Sequence, residues 1–316
     1  MDNLIDNHNR KIEYLRLSVT DRCNLSCLYC DNKTVKRLSH EDILRYEEME
    51  KLVRVGVSLG LKSVRITGGE PLVRPNIAYL IGKISRIEGI EDISLTTNGI
   101  LLSRYAATLK EAGLKRVNIS LDTFNEEKYK KLTGGGSLAD VLQGIEAARR
   151  TGLAPLKINT VILKDNNDDE IIQFANRAAE EGWQVRFIEY MPLLKESKNE
   201  LVSAARIKEI IEEEAGELTP CEMKQGKGPA RYYNIGKNGG TVGFISPMTN
   251  CFCSSCNRLR LTADGRLLPC LLSDAEIDIK EVLRNGADDA TIREVFKRAA
   301  TEKQERHNLS SAQRKN

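Results

Sequence analysis

Histidine is scarce: His8, His40 and His307 are the only three in 316 residues. None lies inside a group of cysteines, which argues against a Cys/His zinc finger and against a histidine acid–base catalyst. Charge of one sign is missing too. Lys and Arg number 48 and Asp and Glu 45, a net of +3. No diffuse basic surface for nucleic acid is expected, although a local basic pocket for a small anion stays open. No apolar run approaches the ~18 residues of a membrane helix. The first residues, Met1–Arg10, are polar and lack the apolar core of a signal peptide. The chain therefore reads as cytoplasmic, without a membrane partner. No Gly-x-x-x-x-Gly-Lys-Ser/Thr segment occurs. Gly134-Gly135-Gly136-Ser137-Leu138-Ala139 follows a charged helical stretch, Glu126–Leu132, rather than a strand, so a dinucleotide loop fails its context.

What the chain does have is an ordinary globular composition, 41% hydrophobic and 29% charged, and eight cysteines. In a reducing compartment such cysteines point to metal or redox chemistry rather than to disulfides. They are grouped. Cys23, Cys27 and Cys30 form one set, Cys251, Cys253, Cys256 and Cys270 another, and Cys221 stands alone.

Short runs rich in Val, Ile, Leu and Thr predict buried strands at Leu15–Val19, Ser63–Thr67, Ile93–Thr97, Arg116–Leu121, Lys157–Leu163 and Val185–Tyr190. Between them, Glu41–Leu59, Leu101–Ala112, Leu138–Thr151, Asp168–Glu181 and Ala204–Ala215 carry apolar residues at helical spacing. Alternation of this kind predicts a parallel α/β sheet, open or curled into a barrel. After Gly216 the pattern changes. Residues 225–243 hold six glycines and read as turns. Ile277–Asn285 and Thr291–Thr301 read as helices, and the last residues as a polar tail. The expected division is 1–224 for the α/β unit and 225–316 for a C-terminal region carrying the second cysteine group.

Cys23-x3-Cys27-x2-Cys30 directly follows the first strand. Three thiolates this close suit one soft metal centre. A four-iron cluster held by three of them keeps one iron open, whereas a structural zinc wants a fourth protein ligand. Cys253-x2-Cys256-x13-Cys270 repeats the arrangement, but here zinc is a serious rival because Cys251 or Cys221 could be the fourth ligand. Between these cysteines Arg258 and Arg260 would share one face of a strand and suit a polyphosphate.

The first motif, with Tyr29 before its last cysteine, resembles the signature of radical S-adenosylmethionine (SAM) enzymes. Thr67-Gly68-Gly69-Glu70-Pro71 after the second strand agrees with it. From about Tyr14 to Cys270 the chain resembles the GTP 3′,8-cyclase family within that group. The matching blocks are Leu15–Asn24, Val64–Pro71, Leu95–Gly99, Asn118–Asp122, Arg186–Met191, Phe252–Arg260 and Asp264–Cys270.

The resemblance implies an incomplete, six-stranded parallel α/β barrel with a C-terminal cluster-binding extension. It implies two [4Fe–4S] clusters, one on Cys23, Cys27 and Cys30 and one on Cys253, Cys256 and Cys270. It implies SAM on Tyr29, Gly69, Ser120 and Met191, and GTP on Arg16, Arg65, Thr96, Lys157, Arg258, Leu259 and Arg260. The implied reaction closes a ring between C3′ and C8 of GTP on the way to molybdenum cofactor. The implied partners are an electron donor and the downstream cyclic pyranopterin monophosphate synthase, and a homodimer is possible. Apart from Lys157, which opens its strand, most of these residues lie at or past C-terminal strand ends, where a barrel site is expected. The family usually ends in Gly-Gly. This chain ends Gln313-Arg314-Lys315-Asn316, and its last glycine is Gly286. Two rivals remain on the residues alone: a radical SAM enzyme acting on a peptide, and a non-catalytic protein with one cluster and a zinc knuckle.

Overall fold

Alternate residues of six short strands face opposite ways, and the two faces differ in kind. The strands are β1 (Tyr14–Ser18), β2 (Ser63–Thr67), β3 (Asp92–Thr97), β4 (Arg116–Ser120), β5 (Lys157–Ile162) and β6 (Gln184–Glu189), parallel and side by side in chain order. One face presents Leu15, Leu17, Val64, Ile66, Ile93, Leu95, Val117, Ile119, Ile158 and Val185, all buried in the main core. The other presents Arg16, Arg65, Ser94, Thr96, Arg116, Asn118, Lys157, Asn159 and Arg186. A period of two thus separates an apolar outside from a polar lumen.

The molecule is represented by a computed structural model that describes residues 3–30, 37–192, 201–222, 228–236 and 239–307. Helices α1 (Tyr46–Ser58), α2 (Ile77–Ser85), α3 (Leu102–Glu111), α4 (Glu126–Thr133), α5 (Leu138–Arg150) and α6 (Ile171–Glu181) connect the six strands. They lay Leu52, Val53, Leu80, Ile81, Leu109, Val141, Ile145 and Phe174 on the apolar face. The strands occupy the positions the sequence predicts to within a residue or so. Helix α2, absent from the sequence reading, starts after Asn76, whose φ of 58° makes a sharp entry. Gly134, rejected above as part of a nucleotide loop, is the left-handed cap of α4.

The segment read as turns is different from the expectation. After α7 (Ala204–Ala215) come β7 (Leu218–Cys221), β8 (Arg231–Ile235) and β9 (Gly240–Ile245). Strand β9 lies parallel to β6, and β8 and β7 follow it antiparallel. Strand β10 (Arg258–Leu261) lies at the other edge, parallel to β1, followed by β11 (Arg266–Leu268) and β12 (Ile277–Asp278). Two further helices, α8 (Ile279–Arg284) and α9 (Asp289–Thr301), pack Ile279, Ile292 and Phe296 into the core. The sheet therefore runs β12-β11-β10-β1-β2-β3-β4-β5-β6-β9-β8-β7 and does not close. The expected incomplete barrel is present, with one extra parallel strand on each side of the six. The boundary expected at 224/225 lies outside the described residues, and strands from both sides of it join one sheet.

Strands β9 and β10 are neighbours in sequence but stand at opposite edges, so residues 246–257 must cross the opening. Glu189, at the end of β6 and 1% exposed, fastens that crossing. Its carboxylate accepts from the N–H groups of Met248 (3.1 Å) and Thr249 (3.0 Å), from the Thr249 hydroxyl, and from Ala204 N–H (3.0 Å) at the start of α7. Glu189→Ala leaves several buried donors unpaired and should cost about 3 kcal/mol or more. At roughly 2–4 °C per kcal/mol the loss is visible in a thermal melt. A variant melting with the parent would refute the anchoring role.

Candidate active site

The loop leaving β1 at its C-terminal end carries Cys30, which is exposed, and Cys23 and Cys27, which are half-buried. Ser26 and Leu28 N–H groups donate to the carbonyls of Thr133 and Leu132 (both 2.8 Å), which pins the loop to the end of α4. On its other side runs the turn after β2. Gly69 N–H donates to Thr20 O at 2.7 Å and Glu70 N–H to Arg22 O at 2.8 Å. A Cβ on Gly69 would lie 2.3 Å from the Arg22 carbonyl oxygen, so only glycine lets the two main chains meet. The Glu70 carboxylate holds Leu72 and Asn98 N–H and the Thr97 hydroxyl, and Asn98 in turn reaches the Cys23 thiol at 3.9 Å. Burial pushes the Cys27 thiol up to about 12, with Asp122 and the two neighbouring thiols adding to it. A metal centre is what would hold such sulfurs as thiolates.

Ser120 ends β4 and Met191 follows β6, which places both at the same rim as this loop. The Tyr29 hydroxyl donates to the Asp122 carboxylate, which also accepts Val161 N–H at 2.8 Å. Burial raises Asp122 to about 6 and the Tyr29 hydroxyl well above its ordinary value. Asp122 had no role in the sequence reading. Its task is set by contacts across β4 and β5 that no local pattern announces.

The second cysteine group lies at the opposite end. Cys253 and Cys256 precede the N-terminal end of β10, and Cys270 follows β11, which runs back beside it. The expectation that the site gathers at C-terminal strand ends holds for the first group only. Burial alone would push the Cys256 thiol up, but Arg258 and Lys303 beside it bring it down to about 7. Cys221 lines a different pocket, with Pro220, Arg231 and Tyr232.

Between the two ends lies the lumen. One pocket is lined by Arg16, Arg65, Thr96, Arg258 and Arg260, by Met191, and by Cys253, Cys256 and Cys270. Asn159, Arg186 and Lys303, which the sequence reading did not single out, line it as well. Lys157 sits in the lumen wall, close enough to Arg116, Arg186 and Arg65 to feel their charge. Leu259 does not face the pocket. Its side chain is buried in the apolar core on the far side of β10, so contact with a ligand there would run through its main chain. Burial, and then Arg258, lowers Arg260 to about 10, and burial lowers Arg186 to about 10. Arg16 Nε, Arg116 Nη1, Arg186 Nε and Asn159 Oδ1 are buried without a hydrogen-bond partner. The three guanidinium nitrogens are unpaired donors on cations and call for an anion, whereas Asn159 Oδ1 is an acceptor and calls for a donor.

Comparison with known proteins turns this chemistry into a lineage. Residues 17–178 match the model of the radical SAM superfamily, and residues 183–309 match that of Molybdenum Cofactor Synthesis C. A GTP 3′,8-cyclase of Thermodesulfovibrio yellowstonii is 51% identical over 92% of this chain and 91% of its own. That of Moorella thermoacetica is 49% identical over 98% and 96%.

The chain belongs to the GTP 3′,8-cyclase family.

Among solved structures, Streptococcus suis SuiB bound to S-adenosylmethionine superposes with a TM-score of 0.64 at 16% identity, over 90% of this chain and 69% of its own. That likeness shows the fold alone. Radical SAM enzymes use a [4Fe–4S] cluster and SAM, and members of the GTP 3′,8-cyclase family carry two clusters. The residues fit such groups: three thiols at each end of the lumen, and unpartnered cationic donors between them. Among the described residues, no helix is long and apolar enough to cross a membrane.

Lys157 is 2% exposed. Burial first, then Arg116, Arg186 and Arg65, lower its ammonium to about 7. An unfolded lysine titrates near 10.4, so between about pH 7 and pH 10 the unfolded chain binds the extra proton, and stability rises with pH across that window. Lys157→Met should flatten this rise. Urea melts at about pH 7 and about pH 9 check it, and equal slopes in both proteins would refute it.

Proposed function

We propose that the chain converts GTP to (8S)-3′,8-cyclo-7,8-dihydroguanosine 5′-triphosphate, an early step toward molybdenum cofactor. The observation that carries this reading is the lumen itself, a buried cationic channel with unpartnered guanidinium donors and a cysteine trio at each end. When bound, the first cluster with SAM would supply the means of removing a hydrogen atom from the ribose, and the second would supply a Lewis-acidic centre for the base.

In this reading Cys23, Cys27 and Cys30 hold the first cluster, and Cys253, Cys256 and Cys270 the second. Tyr29, Gly69, Ser120 and Met191 position SAM at the C-terminal rim. Arg16, Arg65, Lys157, Arg258 and Arg260 neutralise the triphosphate, and Thr96 adds a hydroxyl. Asn159 from β5 and Arg186 from β6 extend the same surface. Holding the nucleotide between the two ends would set its ribose beside the SAM end, which would make hydrogen transfer between the two bound molecules effectively unimolecular, and would restrict the rotations that ring closure within GTP has to overcome. Low dielectric strengthens each phosphate contact and keeps water from the reactive carbon. The product loses one hydrogen at C3′ and gains one at N7, so it has the composition of GTP. The overall conversion with SAM would consume two electrons, which a low-potential electron donor would supply. The product's phosphates remain for a downstream cyclic pyranopterin monophosphate synthase.

Anaerobic reconstitution should give about eight irons per chain. With SAM, a strong reductant and GTP, both 5′-deoxyadenosine and a GTP isomer with a new C3′–C8 bond should form. SAM cleavage without a GTP-derived product would sink the cyclase. Four irons with one zinc that persist after full iron–sulfur reconstitution, together with no GTP-derived product, would favour the non-catalytic rival.

Arg258→Met and Arg260→Met each remove a charged hydrogen-bond donor of about 1.5–3 kcal/mol. The expected loss in kcat/KM for GTP is about 10–100-fold, with iron content unchanged. An unchanged kcat/KM would place the triphosphate elsewhere.

A further inference from the structure

Cys251, Cys253 and His307 offer ligand atoms that all lie within 4.8 Å of one another. Around one tetrahedral ion with metal–sulfur bonds of ~2.3 Å and metal–nitrogen bonds of ~2.0 Å, donor atoms stand roughly 3.5–4 Å apart. A separation of no more than 4.8 Å lets the three converge on a single ion with small side-chain movements.

The histidine is prepared for such a role. Its Nε2 lies 3.0 Å from the Pro247 carbonyl oxygen. A carbonyl can only accept, so in the neutral ring Nε2 carries the hydrogen and Nδ1 keeps its lone pair. Nδ1 is buried and has no hydrogen-bond partner. A carbonyl that fixes the tautomer while the other nitrogen stays free is the usual setting of a metal-bound histidine.

The C-terminal segment is also fastened in place. Lys303 Nζ donates to the carbonyls of Arg258 (3.0 Å) and Pro269 (2.8 Å). The Arg10 guanidinium donates to the carbonyls of Cys253 (2.6 Å), Gln304 (2.7 Å) and Glu305 (3.1 Å). His307 is thereby held against the crossing segment rather than trailing from it.

We propose that Cys251, Cys253 and His307 form a mononuclear site for a borderline-soft divalent cation, zinc above all, which is filled when the second cluster is absent. Two metal–sulfur bonds and one metal–nitrogen bond form, the thiol protons pass to solvent, and no electron moves. The fourth position is left to water. Cys253 cannot serve this ion and the cluster at once, so the two occupancies exclude each other. The proposal rests on the cluster reading only through that shared cysteine.

The test uses the full chain with Cys23, Cys27 and Cys30 replaced by Ala, so that the first group is silent. Metal-free protein is titrated with Co2+ under argon, followed by competition with Zn2+. One equivalent of Co2+ should bind with the intense visible bands of a tetrahedral thiolate site and be displaced by zinc. Cys251→Ser and His307→Ala should weaken it by about a hundredfold, at or beyond the ~10–100-fold that outer-shell changes cost. Cys256→Ser and Cys270→Ser should leave it intact. Should the background fold poorly, the same variants in the parent chain report the loss of one equivalent.

Co2+ binding lost in Cys256→Ser and Cys270→Ser but kept in Cys251→Ser and His307→Ala would overturn the proposal. Iron content keeps the two readings apart. After iron–sulfur reconstitution of the parent chain, Cys256→Ser and Cys270→Ser should lose about four irons, while Cys251→Ser and His307→Ala retain them. Iron kept in Cys256→Ser would count against the cluster assignment alone.

Discussion

Buried positive charge without a matching negative charge is the constraint from which the rest follows. Arg16, Arg65, Arg186, Arg258 and Arg260 line a lumen, and burial there lowers the proton affinity of Arg16, Arg65, Arg186 and Arg260. Arg116 finds Asp92 as its ion-pair partner, but one of its nitrogens stays unpartnered. Such a field costs folding free energy in the empty state and is repaid only by an anionic ligand. The surrounding barrel supplies what tolerance of that field requires, a continuous apolar exterior from Leu15 on β1 to Phe244 on β9. The position of each cation is then a matter of strand register. Arg260, Arg16 and Arg65 stand side by side because β10, β1 and β2 pair in parallel at those residues.

The two cysteine groups are kept apart by the same register. One leaves the C-terminal end of β1, and the other approaches the N-terminal end of β10, which is β1's neighbour. The length of a strand therefore separates the two cysteine groups, and the cationic wall of the lumen lies between them. Arg10 and Lys303 tie the chain's two ends to the second group through carbonyl oxygens. The region around Cys253 thus depends on segments nearly three hundred residues apart in sequence.

Much of this was legible in the sequence, for reasons that differ by element. The six parallel strands read clearly because each is a short run of branched residues ending near a glycine or polar turn. The cysteine and arginine motifs read clearly because their chemistry depends on local spacing. The glycines that flank β8 (Gly228 and Gly236) and lie within β9 (Gly240 and Gly243) make this segment read as turns. Gly240 and Gly243 serve packing: a Cβ on the first would meet Ala179 main chain at 2.8 Å, and on the second the Tyr232 ring at 2.9 Å. Arg186 and Asn159, each one polar residue in a strand, and Asp122, just past the end of β4, carry no local signal, because the meaning of each comes from a neighbour across the sheet. The family resemblance sets Leu259 beside Arg258 and Arg260, and because a strand turns alternate side chains to opposite faces its own side chain goes to the core. His307 carried no motif at all, and only the return of α9 toward the N-terminus gives it neighbours.

The placement of β9 and β10 bears on how the chain is made. Both cover edges of the sheet that β1 to β6 build, and both are encoded in the last third of the sequence. During synthesis the earlier two thirds can pair among themselves while β1 and β6 still present bare main-chain donors and acceptors. Bare edges of this kind invite pairing with another chain. Emergence of residues 240–261 covers both at once, so a ribosome stalled before that point would leave a product with two adhesive edges rather than a shorter barrel.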